Sequence, residues 1–371
     1  MDVVTSRELI EWGGRTALVI QQSDGSFPQT RLGVDGESRT KVGSTSSWLL
    51  TLVAAFELTD NPEFKAAALK SASYLTNEKV RPEGYTFDIR DGDGKDRCDG
   101  LVGQSSPIRA LSRAGRVFDH PSSLEAANEV FKLLPFDEKL ALWERREIDG
   151  TLLSYDRTLN HQLKFAAAGA GLTGIEPNSR AIKTFLDQLT HLMQTRRDGV
   201  IIHYVNLNLK ESVNRFIGSS RHYPLLGHHL VYSLYKNSRE RRIKEIGYHP
   251  INMHHLARLY CHFPEHEFWH SETFQACKQF MIEDLRTSSS RDSPHGSSFP
   301  GLHYALAVDN FAPDSRDNLV KMIRDDCREF LEYIGGQDNP EGIPKPLHSL
   351  ARNTHRLAYL DEFVIPNSNI S

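Results

Sequence analysis

Residues 266–270 read HEFWH. This is His-Glu-x-x-His, which on a helix sets two imidazoles at i and i+4 on one face with a carboxylate between them, the arrangement that holds a catalytic zinc. Three other stretches gather groups able to move protons. LNHQ carries Asn160, His161 and Gln162; GYHPIN carries Tyr248, His249 and Asn252; SSFPGLHY ends in His303 and Tyr304. Gln104 follows CDGLVG, with Asp99 five residues ahead of it, and Arg241 and Arg242 come shortly before Tyr248. Amides, imidazoles, phenols and arginines together suit removal of a proton from a carbon beside a carboxylate. That reaction needs the carboxylate neutralised, one side chain to take the proton and another to return one. Which stretch does chemistry depends on the elements that carry it.

Those elements repeat. Five times a short proline-bearing joint separates two helix-like stretches: TDNPEF, FDHPSS, GIEPNS, HFPEHEF and NFAPDS, with Pro62, Pro121, Pro177, Pro264 and Pro313. Proline suits the first turn of a helix, where its missing N–H would be unpaired anyway. Asp60, Asp119 and Asn310 stand just upstream, where capping residues are expected. Stretches before a joint, such as SSWLLTLVAAFELT and NHQLKFAAAGAGL, are too apolar and too rich in small residues for a surface. Stretches after it, such as SRAIKTFLDQLTHLM, repeat apolar residues every three or four positions with charges between.

Inner helix, joint, outer helix, repeated, predicts an all-α fold: one domain, residues 1–371, forming an (α/α)5–6 toroid. SRELIEWGG supplies a helix at the start, and SLARNTHRLAYLDEF (349–363) a further inner helix. A helical solenoid is the competing architecture; unequal repeats and long connections on one side weigh against it. Those connections, 82–103, 135–158, 194–247 and 286–299, all run from an outer helix to the next inner one, so they share one rim. They include β-like runs such as DGVIIHYVNLNL (198–209) and are where binding is expected. Inner helices begin at this rim, so LNHQ, GYHPIN, Gln104, His303 and Tyr304 converge on the mouth of a central cavity, where helix N-termini favour a carboxylate. HEFWH straddles a joint on the opposite rim. It reads as structure, with Trp269 packed inward and His266 and His270 far from His161 and Tyr248.

Composition adds limits. A net charge of −4 gives no sign of a nucleic-acid or membrane-surface binder. The four cysteines are scattered, which fits reduced thiols in a cytoplasmic protein, and the polar start MDVVTSRELIEWGG argues against a signal peptide. No run approaches the roughly 18 apolar residues of a membrane span.

LNHQLKFAAAGA resembles the Asn-Asn-His-x-x-Trp-Ala-Ala stretch of alginate-type polysaccharide lyases built on an α/α toroid. RRIKEIGYHPINMHHLARL resembles their later Arg…Tyr-His segment. The resemblance implies that Asn160, helped by Arg241 or Arg242, neutralises a uronate carboxyl group. It makes His161 a base, and Tyr248 an acid or base, at C5 and the leaving oxygen. Leu159 stands where that family has its first Asn, and Phe165 where it has Trp. A longer, looser set (DGLVGQSSPIRALSRAG, NHQLKFAAAGAG, YHPINMHHLARL, FPGLHYALAV) is similar to toroid proteins of archaeal N-glycosylation (Agl-type) clusters. This implies a cytoplasmic epimerase or isomerase acting on a hexuronic acid in an oligosaccharide or lipid-linked glycan. Gln104, Asp99, His249, Asn252, His303 and Tyr304 would then contact substrate, and no metal or other cofactor is implied.

Blander readings stand beside these. Asn160 could cap its helix, His161 and Tyr248 could be packed core residues, and one of His254 and His255 is expected to face the helix layer. DIRDGDGKDRCDG (88–100) lacks the glycine and terminal Glu of an EF-hand and reads as a solvated loop. Paired carboxylates among Asp99, Glu147, Asp149 and Asp156 would make the protein a glycoside hydrolase. A noncatalytic glycan-binding toroid is the remaining alternative. The reading carried forward is C5 proton abstraction on a uronic acid, ending in epimerisation or in β-elimination.

Overall fold

In the computed structural model the described residues are 3–29, 38–91, 95–174, 178–206, 219–222, 232, 235, 237–327, 350–359 and 364–366. Among them are eleven α-helices. α2 (Lys41–Thr59) is nearly all buried from Ser44 to Ala55, as an inner helix must be. It stops at Asp60, which takes a left-handed conformation (φ 52°), and Asn61 then caps α3 (Pro62–Leu75) through the Glu63 N–H. α4 (Gly100–Val117) and α5 (Pro121–Leu133) repeat the plan, with Asp119 left-handed (φ 50°) between them. Two of the expected caps, Asp60 and Asp119, were therefore one residue off, and Asn310 was two. Asp60 and Asp119 occupy left-handed positions in the joints, a conformation Asp tolerates better than most residues, and Asn310 sits in the last turn of its helix donating to the Leu306 carbonyl.

α6 (Leu159–Ala170) is another buried inner helix. Gly169 lets it approach α5, since a Cβ there would lie 2.2 Å from the Phe131 ring. α7 (Asn178–Leu192) buries Ile182, Phe185, Leu186, Leu189 and Leu192, the one-sided stripe of an outer helix. α8 (Arg239–His262), α9 (Glu272–Thr287), α10 (Pro300–Phe311) and α11 (Arg316–Asp326) continue the alternation. α8 starts nine residues before Tyr248 and carries Pro250 inside it, so GYHPIN is not the helix start that its pattern suggested.

The inner helices pack in sequence, α2 on α4, α4 on α6, α6 on α8 and α8 on α10. A 3-10 helix, Thr354–Tyr359, packs on α10, on α2 and on α1 (Ser6–Ile20), and so closes the ring. Residues 349–363 were expected to form an α-helix; their described part is chiefly this tighter turn. β1 (Val3–Thr5) pairs antiparallel with β7 (Val364–Pro366), joining the two ends of the ring. Pro177, residues 207–209 and the remainder of 349–363 lie outside the described residues.

The loop rim carries the small sheets. β2 (Ser38–Arg39) pairs with β3 (Arg90–Asp91), setting Arg39 opposite Arg90. β4 (Phe136–Asp137), β5 (Leu142–Arg146) and β6 (Leu152–Tyr155) form a three-stranded antiparallel sheet. Trp143 anchors it, with rings of Phe131, Phe136, Phe165 and Phe185 within 4.6–6.1 Å. The next connection bridges Thr158 to Tyr204, which lays residues 203–205 beside the start of α6.

Candidate active site

A cavity of about 340 Å³ occupies the middle of the ring. Arg39 enters from β2, Arg109 from α4, Lys164 from α6, Arg258 from α8, and Arg352 and Arg356 from the closing segment; Asn160, Tyr248, His255, His303 and His355 complete the polar wall. Among the described residues lining it there is no carboxylate. Arg39 is ion-paired with Asp99, and positive groups sharing one wall raise the local potential for an anion. Lys164 registers this most strongly. It lines the cavity, and its ammonium donates to the Val102 carbonyl and Ser106 Oγ, both at 2.9 Å. Burial, aided by Arg39, Arg356 and Arg109 and opposed by Asp99, pulls its pKa down to about 7. His255 is 4% exposed, and neither ring nitrogen has a hydrogen-bond partner among the described residues. Burial and the charges of Lys164 and Arg258 hold its pKa well below the usual histidine range, so the ring is neutral. His303 lies 2.8 Å from Arg356 Nη1, and burial with that charge keeps it neutral too.

At the start of α6 the chain builds a pair. His161 Nδ1 lies 2.8 Å from Asp156 Oδ2, whose other oxygen accepts from the Thr158 N–H. Burial pushes the Asp156 carboxyl up, but His161 and these hydrogen bonds outweigh it, so its pKa is lowered and it stays ionised. An ionised carboxylate only accepts, which assigns the proton to His161 Nδ1 and leaves Nε2 as the basic nitrogen. His161 lines a neighbouring cavity of about 580 Å³ with Asp156, Arg157, Tyr204 and Arg221. The next residue back, Asn160, faces the central cavity, its Nδ2 donating to Asn252 Oδ1 at 2.9 Å. Between the two cavities His203 packs edge-on against Tyr248 and Tyr204, with centroids 5.0 and 5.2 Å away. The Tyr248 phenol, protonated at neutral pH like any tyrosine, has its pKa raised further by burial.

Asn160, His161, Tyr248, Asn252 and His303 are thus brought to the cavities or their shared wall. Others are not. Gln104 is fully buried, its amide bonded to the backbone of Phe87 and Cys98, so it anchors the 82–103 loop. His249 is buried between the Ile201 N–H and the Cys277 carbonyl, and Tyr304 donates to buried Asp284 at 2.7 Å. Arg242 pairs with Asp198 at an exposed position, and Arg241 stacks on Tyr204 and Tyr232 at 4.8 and 5.2 Å. Both stand six or seven residues before Tyr248 on one helix, about 10 Å along its axis, so neither neutralises a carboxylate in the central cavity. Asp99 borders the cavity beside His161 but is clamped by Arg39 and Arg90. Glu147 accepts from the Arg97, Cys98 and Ile148 N–H groups, and Asp149 from the Thr151 N–H in an exposed turn.

HEFWH forms a joint, and its last four residues are a 3-10 helix, so its imidazoles do not share an α-helical face. His266 accepts from the Phe268 N–H and reaches Asp187 of α7 at 3.0 Å; Trp269 is buried and donates to the Phe263 carbonyl. The cavity cations were missed by pattern reading, although Lys164 is a charge inside a helix otherwise made of small, apolar and uncharged polar residues. That mismatch was the available signal.

A closed ring of inner and outer hairpins around a polar cavity defines an α/α toroid. No family model matches this chain. It is 34% identical over 370 residues to archaeal glycosylation protein Q of Haloferax volcanii, across 95% of this chain and 99% of that protein, and it belongs to that family. Among solved structures, a sugar epimerase from a ruminal bacterium superposes with a TM-score of 0.62 at 12% identity, covering 95% of this chain and 96% of the other. An unsaturated glucuronyl hydrolase specific for heparin superposes with a TM-score of 0.55 at 12% identity, covering 95% of each. An epimerase and a hydrolase share the fold, so the likeness establishes architecture and leaves the reaction to the residues.

Proposed function

We propose that the protein is a sugar epimerase or isomerase that removes and returns the C5 proton of a uronic acid in a glycan. The observation that carries this is the Asp156–His161 pair, which lines one cavity while the adjoining Asn160 faces the neighbouring cavity walled by cations. A C5 proton becomes removable only if the charge moving onto the adjacent carboxylate is stabilised, and fixed positive groups in a partly enclosed site do that well. Asn160, held by Asn252, together with Lys164 and Arg39, is suited to the carboxylate. His161 Nε2 takes the C5 proton while Asp156 stabilises the imidazolium that forms. Tyr248, protonated at neutral pH, returns a proton to the opposite face and is reprotonated from solvent. If the C4 substituent leaves instead, the same first step becomes a β-elimination.

Membership of a glycosylation-protein family supports a glycan substrate. A lipid-linked carrier and a cytoplasmic setting belong to the same reading; among the described residues no helix is long and apolar enough to cross a membrane. Paired-carboxylate hydrolysis fits less well. It needs one carboxylic acid kept protonated, whereas Asp156 is ionised, Asp99 is clamped by two arginines, and Glu147 and Asp149 hold backbone turns. The test is incubation with a panel of uronate glycans in heavy water. Deuterium at C5 without cleavage identifies an epimerase, and ultraviolet absorbance from a C4–C5 double bond identifies a lyase. Neither signal across the panel would sink the C5 reading.

A further inference from the structure

Every glycine whose surroundings are described has a structural reason to be one, except Gly43. At all but three of them a Cβ would lie within 3.0 Å of a neighbouring atom, as at Gly169 against Phe131. Gly84 and Gly174 have room, but they take left-handed φ values of 76° and 95°. Gly43 has room too, with no atom of the described residues within 4 Å of where its Cβ would stand, and its φ lies outside the left-handed region. It is the third residue of α2, and a glycine in a helix costs stability relative to alanine. The space beside it is the central cavity, which Gly43 and Ser47 both line. From Val42 to Ala55 these are the two residues of α2 that are not buried, and they stand one turn apart on one face. Ser47 Oγ donates to the Gly43 carbonyl at 3.3 Å, and its oxygen can still accept.

In the reaction proposed above, C5 lies at His161 in one cavity and the carboxylate at Asn160 in the other. The reacting sugar therefore sits on the partition beside α6. α2 is not the neighbour of α6, since α4 packs on both and stands between them. The opening on α2 is left to another part of the substrate. We propose that Gly43 and Ser47 form a subsite for the sugar joined to the reacting uronate, and that Gly43 determines its size. The protein then acts on a uronate within an oligosaccharide rather than on a free uronic acid. Without a side chain at Gly43 the second ring lies against the helix backbone, and Ser47 accepts from one of its hydroxyls. This subsite rests on reading the central cavity as the glycan site, and its test reads binding, apart from whether C5 chemistry follows.

The experiment is calorimetric titration of the full chain with a panel of uronates, each as its methyl glycoside and as disaccharides carrying it at the reducing or the non-reducing end. One disaccharide should bind about tenfold or more tightly than the methyl glycoside, as expected for one or two further hydrogen bonds. In Gly43→Leu that ratio should fall to within about threefold, while the methyl glycoside binds as it does to wild type. Gly43→Ala should melt no lower than wild type, because the added methyl displaces nothing. If Gly43→Leu fails to fold, Ser47→Leu, one turn along the same face, supplies the block, and the same fall is expected. Equal affinities or no binding in the wild type, or a ratio untouched by the block, would overturn the proposal. So would a lower melting temperature for Gly43→Ala, which would make the glycine structural. C5 exchange without the disaccharide gain counts against this subsite alone; the gain without exchange counts against the epimerase reading alone.

Discussion

Replacing Lys164 by Met should make the protein more stable at pH 6 and lose that advantage as the pH rises. Met preserves the length of the stem and removes the ammonium. In the folded chain that group has its pKa pulled from 10.5 to about 7, which corresponds to about 5 kcal/mol at ~1.4 kcal/mol per pH unit. Lys164 is only partly buried, and two hydrogen bonds, to Val102 and Ser106, are lost in the variant. We therefore expect a net gain of roughly 1–3 kcal/mol at pH 6. The sign follows from proton counting. Between about pH 7 and 10.5 the unfolded chain holds a proton on Lys164 that the folded chain has released, so wild-type stability rises with pH through this window. The variant lacks that slope. Urea unfolding of both proteins at pH 6, 7, 8, 9 and 10, in a cationic buffer with chloride, measures the difference. Parallel pH dependence of the two would refute the claim that the cavity destabilises its own lysine. Greater stability together with lost uronate binding would mark Lys164 as a group retained for function.

Three further outcomes follow from the same geometry. Asp156→Asn should lower C5 exchange about 10- to 1,000-fold with little change in fold, because general-base catalysis by a side chain contributes about 10²–10⁴ and the Asn cannot stabilise the imidazolium; circular dichroism and exchange rates in heavy water check this. Binding of an anionic sugar at pH 8 should take up close to one proton, because an arriving carboxylate restores the charge on Lys164; calorimetry in buffers of different ionisation enthalpy reads it. Buried Asp326, pushed up to about 8 mainly by burial and with Arg291 opposing, holds a proton in the folded chain that the unfolded chain has released between about pH 4 and 8. Wild-type stability should fall with rising pH across that window, and Asp326→Asn should melt a few degrees higher than wild type at pH 8.5, with the gap closing near pH 4.5.

The ring was legible because each joint repeats one physical solution: proline at a helix start, a run of small residues before it and an amphipathic run after it. The caps were misread by one residue because Asp60 and Asp119 satisfy a different local need, a left-handed turn, that composition does not reveal. Asn160 and His161 were conspicuous as polar groups at the head of an apolar helix, and Tyr248, which the pattern set at a helix start, borders the cavity from the interior of α8. Gln104, His249 and Tyr304 looked the same in sequence but hold loops and a buried acid, and only three-dimensional partners separate the two uses. Arg241 and Arg242 were chosen for nearness in sequence, whereas the cavity takes its six charges from five separate segments. No local pattern could assemble Arg39 with Arg352 and Arg356, more than 300 residues apart.

That separation bears on how the protein comes into being. The turn at Thr354–Tyr359 inserts between α10 and α2, and β7 pairs with β1, so segments more than 290 residues apart meet to close the ring. Arg352, His355 and Arg356 arrive in the cavity with that step. A ribosome-bound chain can fold one hairpin after another, since each is local, but the final long-range closure is the slow kind of contact. Binding competence should therefore switch on at once when residues 350–366 dock, with no weaker site in chains that lack them, and a ligand that needs the closed ring should hold it shut.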